Sequence, residues 1–557
     1  MLLIEGGNIK KYYGDRLILS IENLKIYSED RIGLVGLNGA GKTTLINILS
    51  GETKPDEGWI RRYGSYSVIE QLGCTEYEEI EKKAANKFGT VNTWNNHLSG
   101  GEKTRFKIAK CFNNDNNIIF ADEPTSNLDV EGIELLDDKF KQYKGALVVI
   151  SHDREFLDKL CNKIIEVADT KIKEYSGNYT AFKLQKDLEI ERSLFEFQQY
   201  GKEKKKLEAA MDETKQKVKT MKKTPTRMGN SEARLHKMGN QKAKANLDSA
   251  VKNMKARMDH LEVKEKPKNI EAIKLDALGN GELYSKIVIS GKNISKSFGD
   301  KIIFANAGFD IYNGSRTALI GPNGSGKSTL IKMILEGHPS IKIAKGAKIG
   351  YFSQDMNIFK EELSILENVM ENSIYDETFA RILLGRLLFK NEEVYKKVKV
   401  LSGGEQVKVS FAKVFLSDIN LLILDEPTNY LDIYSLEVVE AALREYSRTV
   451  LFVSHDRRFV STVANSILSI ENNKLITVTG SYEEYISNKE NTVDANKEDL
   501  EKQIFVLENR LSEIIGRLSM PSKGEDMEKL DREYYEVLKR LKEIKRKIAN
   551  LNLYKGY

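Results

Sequence analysis

The feature that most limits what this chain can become is its repetition. Lys11-Tyr12-Tyr13-Gly14-Asp15 returns as Lys296-Ser297-Phe298-Gly299-Asp300, and Gly36 to Thr44 returns as Gly321 to Thr329, both 285 positions later. Three further segments return 303 positions later. Leu98-Ser99-Gly100-Gly101-Glu102 becomes Leu401-Ser402-Gly403-Gly404-Glu405, Asp122-Glu123-Pro124-Thr125 becomes Asp425-Glu426-Pro427-Thr428, and Ser151-His152-Asp153 becomes Ser454-His455-Asp456. The change of offset puts about twenty extra residues into the second copy, between Gln354 and its Leu401. The fold must therefore be one that is built twice, over residues 1–180 and 285–488. Residues 181–284 lie between the copies and 489–557 follow them.

Each copy spells out a phosphate site. Gly36, Asn38, Gly39, Gly41, Lys42, Thr43 and Thr44 follow the strand-like Arg31 to Val35 and run into a helical pattern. Glycines in such a loop let backbone N–H groups close on phosphate, the lysine reaches the terminal phosphates, and the hydroxyl suits Mg²⁺. Gly321, Asn323, Gly324, Gly326, Lys327, Ser328 and Thr329 repeat the arrangement. One such loop occurs by chance; two on strand-to-helix junctions do not. Ile118 to Asp122 and Leu421 to Asp425 are apolar runs that end in a carboxylate, as expected of buried parallel strands delivering an acid to the sheet edge. Asp122 and Asp425 are placed to hold Mg²⁺, and the next residues, Glu123 and Glu426, to polarise an attacking water. An isolated histidine is more often packed or on the surface. His152 and His455 instead recur in register with every other motif.

These residues resemble the ATP-binding cassette family, over essentially both repeats. Leu98 to Glu102 and Leu401 to Glu405 match the family's signature loop. The resemblance implies an α/β fold with two tandem P-loop ATPase domains, each signature completing the ATP site of the other domain. One site would pair Lys42, Asp122, Glu123 and His152 with Ser402, Gly403, Gly404 and Glu405. The other would pair Lys327, Asp425, Glu426 and His455 with Ser99, Gly100, Gly101 and Glu102. It further implies that Gln71 and Gln354 sense Mg²⁺ and water, that the two histidines contact the γ-phosphate, and that Tyr13 and Phe298 stack on adenine. For the two aromatic residues, core packing is the competing expectation. Ser126, in Thr125-Ser126-Asn127, departs from the Asn429-Tyr430 of the second copy and leaves the equivalence of the two sites open.

The middle stretch, Phe182 to Lys268, is rich in Lys, Glu, Ala, Leu and Met and predicts helix throughout, except at Thr224-Pro225-Thr226-Arg227-Met228-Gly229-Asn230. Helix, tip (about 224–240) and helix make a long hairpin. At ~1.5 Å per residue the first arm spans about 60 Å, so much of it is expected to project beyond the repeats. Between Lys202 and Arg257 there are 17 Lys and Arg against 6 Asp and Glu, a net of +11, whereas the whole chain carries only +5. The remainder is thus net acidic, and a phosphate-rich partner is the natural counterpart of the hairpin. A solvated coiled coil, or one that docks on protein, is the alternative. Two cassettes joined by a charged hairpin resemble the ABC-F branch. That resemblance implies a ribosomal partner, with the tip near 23S rRNA and P-site tRNA and RNA contacts at Lys222, Lys223, Arg227, Met228, Arg234 and Lys237. The short interval from Gln71 to Ser99 leaves no room for the inserted arm of some housekeeping members, which leans toward the antibiotic-resistance members.

After the second repeat, Ile504, Leu507, Leu511, Ile514 and Leu518 make one apolar seam, and Leu530, Tyr534, Val537, Leu541, Ile544, Ile548 and Leu551 another. A C-terminal helical coiled-coil hairpin follows, either packed only on itself or reaching RNA. Three scattered cysteines, Cys74, Cys111 and Cys161, suggest neither a disulfide framework nor a zinc site. With no basic, apolar leader and no apolar run near the ~20 residues that cross a bilayer, the expected setting is the cytosol and the expected form a monomer. Three readings remain: a ribosome-protecting ATPase, a housekeeping translation factor of the same branch, and the ATPase subunit of a transporter. A chromosome ATPase fits less well, because its coiled coils interrupt a cassette.

Overall fold

The computed structural model describes residues 1–557 except 71–78, 95–97, 99, 113–115, 127, 129, 221–229, 262, 265–282, 354–358, 390–391, 429–430, 520–526 and 554–557. The side chains of 84, 87, 130–131, 230–241, 490–499, 501, 527–530 and 547–553 also lie outside the description. In the first repeat, β1 (Leu2–Tyr13), β2 (Arg16–Tyr27) and β4 (Glu57–Arg62) form an antiparallel sheet, β1 lying between the other two. β3 (Arg31–Val35), β5 (Tyr66–Ile69), β6 (Ile118–Asp122), β7 (Ala146–Ile150), β8 (Lys163–Ala168) and β9 (Lys171–Ser176) form a second sheet in the order β5-β6-β7-β3-β8-β9. Only β9 is antiparallel to its neighbour. The helices are α1 (Lys42–Ser50), α2 (Lys82–Lys87), α3 (Gly100–Phe112), α4 (Val130–Gln142) and α5 (Arg154–Leu160).

The five residues of β6 and of β7 are all buried. Parallel strands covered on both faces need such unbroken apolar runs. One core lies between α1, which buries Leu45, Ile46, Ile48 and Leu49, and the two sheets. This layering brings the carboxyl ends of β3, β6 and β7 to one edge, where ligands of open α/β sheets bind.

Two units separate by contact density, Thr180–Glu271 being one and the rest of the chain the other. α6 (Tyr179–Thr220) runs 42 residues, roughly 63 Å at ~1.5 Å each. α7 (Asn230–Asp259) runs back, because Lys264 beyond its end pairs with Glu196 of α6 at 3.5 Å. Leu207 and Met211, four apart and so on one helical face, are buried, whereas Leu184, Leu188 and Phe195 are exposed. The tip residues Lys222, Lys223, Arg227 and Met228 lie outside the described residues. Arg234 and Lys237 fall on α7, their side chains not described.

The second repeat restates the first. β10 (Ile287–Phe298), β11 (Lys301–Tyr312) and β13 (Ile341–Ile343) are its antiparallel sheet. β12 (Arg316–Ile320), β14 (Ile349–Phe352), β15 (Leu421–Asp425), β16 (Thr449–Val453), β17 (Ser466–Glu471) and β18 (Lys474–Thr479) are its main one, in the order β14-β15-β16-β12-β17-β18. α8 (Lys327–Leu335), α9 (Ile365–Met370), α10 (Glu377–Arg386), α11 (Gly403–Phe415), α12 (Ile433–Glu445) and α13 (Arg457–Val463) complete it. α9 and α10 fall in the interval that is longer in this copy, and bury Ile365, Val369, Leu383 and Leu384 in its larger core. Two further helices follow, α14 (Tyr482–Ser519) and α15 (Met527–Leu553). Ile514, Leu541 and Ile544 of the expected seams are buried, and Arg510 and Lys545 bridge to Glu533 and Glu508 across the pair at 2.5 and 2.7 Å. Among the described residues no helix is long and apolar enough to cross a membrane.

Candidate nucleotide sites

The two phosphate loops take the same shape for the same reason. Gly41 and Gly326, the residues before α1 and α8, have φ of 101° and 108°, a left-handed conformation that side chains resist. A Cβ on Gly326 would also stand 2.4 Å from Cγ2 of Ile303. The lysine that follows is folded back over its own loop. Nζ of Lys42 donates to the carbonyls of Gly36 and Leu37 at 2.8 and 3.1 Å, and Nζ of Lys327 to those of Gly321 and Pro322 at 2.8 and 3.2 Å. Burial pushes the Lys42 ammonium below its ordinary pKa, against the pull of Glu123, Asp432 and Asp122. A polyphosphate has the charge density to meet that desolvated cation.

At the exit of β6 the hydroxyl of Thr43 donates to Oδ2 of Asp122 at 2.7 Å. Glu123 and Glu426 both have positive φ, 52° and 49°, outside the usual range for a residue with a long side chain. Strain of this kind on a long side chain clusters at functional sites. The backbone N–H of His152 donates to Oε2 of Glu123 at 3.3 Å, and its Nε2 stands 3.3 Å from Oε1. In the second copy Nε2 of His455 stands 3.4 Å from Oε1 of Glu426. Burial, with Lys42 adding to it, drives His152 down to about 3, so its imidazole is neutral and the contact with Glu123 is no ion pair. Burial first, then Asp122, pushes Glu123 up to about 8; burial pushes Glu426 up to about 7, with Asp425 adding to the rise. Hydroxyl pairs Thr125–Ser151 and Thr428–Ser454, each at 3.1 Å, tie the glutamate-bearing turn to the histidine-bearing one.

A cavity of about 1830 Å³ is lined from both repeats. Asn38, Gly39, Gly41, Lys42, Thr43, Thr44, Asp122, Glu123 and His152 face it, as do Asn323, Gly324, Gly326, Lys327, Ser328, Thr329, Asp425, Glu426 and His455. So do Gly100 and Gly101 of one signature and Ser402, Gly403, Gly404 and Glu405 of the other. Tyr13 and Phe298 line it while 55% and 58% exposed, which rules out the core-packing alternative for both. Gly36, Gly321 and Glu102 do not line it; the first two supply the carbonyls that hold the lysines. Gln71, Gln354 and Ser99 lie outside the described residues. Sequence reasoning missed Asp432 and Lys408, which pair at 2.9 Å, the backbone N–H of Asn38 lying 3.5 Å from Oδ2 of Asp432 in the other repeat. Leu128-Asp129 returning as Leu431-Asp432 was the available signal.

Residues 19–84, 67–126 and 304–429 match the family model described as ABC transporter. Over 553 residues the chain is 30% identical to the ribosome protection protein VmlR of Bacillus subtilis (strain 168), covering 96% of this chain and 97% of that protein. It is 31% identical over 480 residues to the erythromycin resistance ATP-binding protein MsrA of Staphylococcus epidermidis, covering 83% of this chain and 96% of the other. Among solved structures, the archaeal ribosome recycling factor aABCE1, in complex with the stalk protein aP1, superposes with a TM-score of 0.57 at 18% identity. That match covers 86% of this chain and 92% of the other, and shows a common fold alone.

Proposed function

Because the chain belongs to the ABC-F branch of the ATP-binding cassette ATPases, we propose that it couples ATP hydrolysis to residence on the ribosome and thereby protects translation from antibiotics. It is an ATPase, with two cassettes and no membrane-crossing helix among the described residues. The observation that carries the mechanism is the shared cavity, where each phosphate loop and the opposite cassette's signature helix open onto one space. Two ATP molecules bound there would each touch both cassettes, so binding would favour one cassette arrangement and hydrolysis release it.

Within each site the chain's own groups divide the work. Lys42 and Lys327 meet the phosphates, and Tyr13 and Phe298 stack on the base. Glu123 and Glu426, raised by burial, are stronger bases when ionised than surface carboxylates and orient the attacking water. Neutral His152 stands against Glu123 and reaches the γ-phosphate without adding a proton of its own, and His455 takes the same place beside Glu426. The convergence of the Thr43 hydroxyl with Asp122 is an all-oxygen donor set of the kind Mg²⁺ takes, and Ser328 with Asp425 offers the same groups. Among the described residues no three His, Cys, Asp or Glu side chains form a metal cage by themselves, so nucleotide oxygens and water would complete the shell. When bound there, Mg²⁺ neutralises phosphate charge.

The net +11 of the hairpin between Lys202 and Arg257 supports an RNA partner, and the name of one relative, a ribosome protection protein, favours the ribosome's. In this reading the chain enters the E site, its hairpin tip repositions P-site tRNA, and drugs such as lincosamides, pleuromutilins and streptogramin A compounds leave the peptidyl-transferase region. It works in the cytoplasm as a monomer. Sedimentation with 70S particles in ATP, using Glu123→Gln with Glu426→Gln to block release, tests the proposal. Co-pelleting that falls steeply with salt is expected; a doubly substituted protein that ignores ribosomes and pellets with membranes would overturn it. Housekeeping control of elongation is the second reading, which the same paired cassettes and charged hairpin would serve. Growth of a sensitive host across a drug panel separates the two.

A further inference from the structure

Away from the nucleotide cavity the two cassettes are joined by crossed ion pairs. NH1 of Arg154, the first residue of α5, donates to Oε2 of Glu440 on α12 at 3.0 Å, and NH2 donates to Oε1; both side chains are buried. In return, NH2 of Arg457, the first residue of α13, donates to Oε1 of Glu134 on α4 at 2.5 Å. None of these four residues lines the cavity. Arg154 and Arg457 are equivalents, 303 apart, and each stands two places after its cassette's histidine. Glu440 is the equivalent of Asp137, one methylene shorter, and Arg457 reaches instead the carboxylate three residues earlier on the same helical face.

The clasp also encloses like charges and a tyrosine. Asp153 and Asp456 cap α5 and α13 by accepting from the N–H groups of Phe156 and Phe459 at 3.0 and 2.9 Å, and each raises the other's cost of ionisation across the cassette boundary. NH2 of Arg154 lies 3.9 Å from Oδ2 of Asp456, the compensating charge. Tyr179, where α6 begins, is 1% exposed with the Arg458 guanidinium 5.7 Å above its ring, and Arg154 and Glu440 act on its phenol. Its equivalent Tyr482 opens α14 among Arg457, Glu155 and Glu134. Each long helix thus starts from a tyrosine on whose phenol a crossed pair acts electrostatically.

We propose that Arg154–Glu440 and Arg457–Glu134 form a cross-cassette clasp that positions the histidine-bearing turns for hydrolysis, and that Tyr179, buried under Arg458 next to Arg457, passes cassette rearrangement to α6. Arg154 and Arg457 are positioning residues, acting through the turns they follow. The clasp concerns ATP hydrolysis itself and stands whether or not the partner is a ribosome.

The test is steady-state ATPase of the full-length chain. Arg154→Ala and Glu440→Ala should each lower kcat about 10- to 100-fold, as misplacement of catalytic groups does, with KM little changed. The double substitution should cost no more than either single one. Exchange of the charges, Arg154→Glu with Glu440→Arg, should recover activity that both single reversals lose, and a kcat loss at unchanged melting temperature is the outcome that a merely structural role does not produce. Where an alanine variant fails to fold, Arg154→Lys decides, since it keeps the charge and loses the two-pronged geometry. For the second half, fluorophores at Leu188→Cys on α6 and Ile382→Cys on α10 report ATP-dependent separation in a chain whose native cysteines are serine. Tyr179→Ala should abolish that ATP response and Tyr179→Phe keep it. Wild-type kcat in Arg154→Ala or Arg154→Lys, additive single losses, or an intact ATP response in Tyr179→Ala would overturn the proposal.

Discussion

The two nucleotide sites are written with one set of motifs and finished with different surroundings. The site of the first phosphate loop receives α11, where Gly403-Gly404-Glu405 is followed by Gln406 and Val407 and, two turns on, by Ser410. Ser402 is already engaged there, its hydroxyl 2.6 Å from Oε2 of Glu405 in a capping box. On α3, Lys103, Thr104 and Lys107 hold the same places and line the cavity. At the first loop Oδ2 of Asp432, with Lys408 behind it, lies near the Asn38 N–H; its equivalent at the second, Asp129, lies outside the described residues. Motif identity therefore fixes the chemistry of each site, while residues just outside the motifs fix its charge.

The largest effect to expect from breaking this comparison comes from the glutamates. Removing a general base costs about 10² to 10⁴ in rate, so Glu123→Gln with Glu426→Gln should reduce hydrolysis to background. The single substitutions sharpen the contrast: unequal residual kcat is expected, since Lys103, Thr104 and Lys107 of one signature helix line the cavity where the other carries Gln406, Val407 and Ser410. Two singles each retaining half the activity would make the sites independent and equivalent. Next comes Asp432→Ala. It strands Lys408, 8% exposed at its side chain, without its carboxylate. Breaking a buried pair in this way costs on the order of 3 to 5 kcal/mol, read as a lower melting temperature. Undiminished stability would show that Asp432 is not held as drawn.

Most of what positions the sites is legible in the residues. The two-fold repeat, the buried runs Ile118 to Asp122 and Leu421 to Asp425, and the glycines before Lys42 and Lys327 follow from spacing and steric rules. The exposure of Tyr13 and Phe298 does not, because an aromatic at a strand end reads equally as core until the sheet edge is seen. Arg154 and Glu440 were invisible for a different reason. They are 286 positions apart, and nothing local in either helix says that its charged residue is buried. Helix periodicity found the long arms, yet it gives no account of why Leu184, Leu188 and Phe195 stay exposed on α6.

The equivalence of Asp137 and Glu440 yields a smaller effect, visible in pH. Glu440 is paired with Arg154, whereas Oδ1 of Asp137 is buried with no hydrogen-bond partner. Burial pushes Asp137 up to about 6, against the pull of Lys159, Lys141 and Arg457, with Glu155 raising it further. A carboxyl whose pKa is higher folded than unfolded holds its proton better in the native state. Its contribution is thus present at low pH and lost as pH rises from the ordinary aspartate value toward about 6. The loss is on the order of 2 kcal/mol. Asp137→Asn should flatten the fall in stability over that window, measured by denaturant unfolding at pH 4, 5, 6 and 7 at roughly constant ionic strength. A slope unchanged by the substitution would remove Asp137 from the account.

The smallest expected effect asks most directly whether residues outside the motifs tune the sites. Lys103 and Gln406 are equivalents, one on each signature helix, and only Lys103 adds a cation to the cavity. A single exposed charge near a phosphate contributes about 1 kcal/mol in water, a fewfold change in affinity, and salt screens it. Lys103→Gln should therefore weaken nucleotide binding to the second loop by about 3- to 10-fold and reduce the salt dependence of that binding. Gln406→Lys should strengthen binding to the first loop by a similar factor. Each site is read alone with a fluorescent ATP analogue in a chain whose other loop lysine, Lys42 or Lys327, is alanine. The double exchange should invert the order of the two affinities. Affinities that stay in their original order would place the difference between the sites outside Lys103 and Gln406.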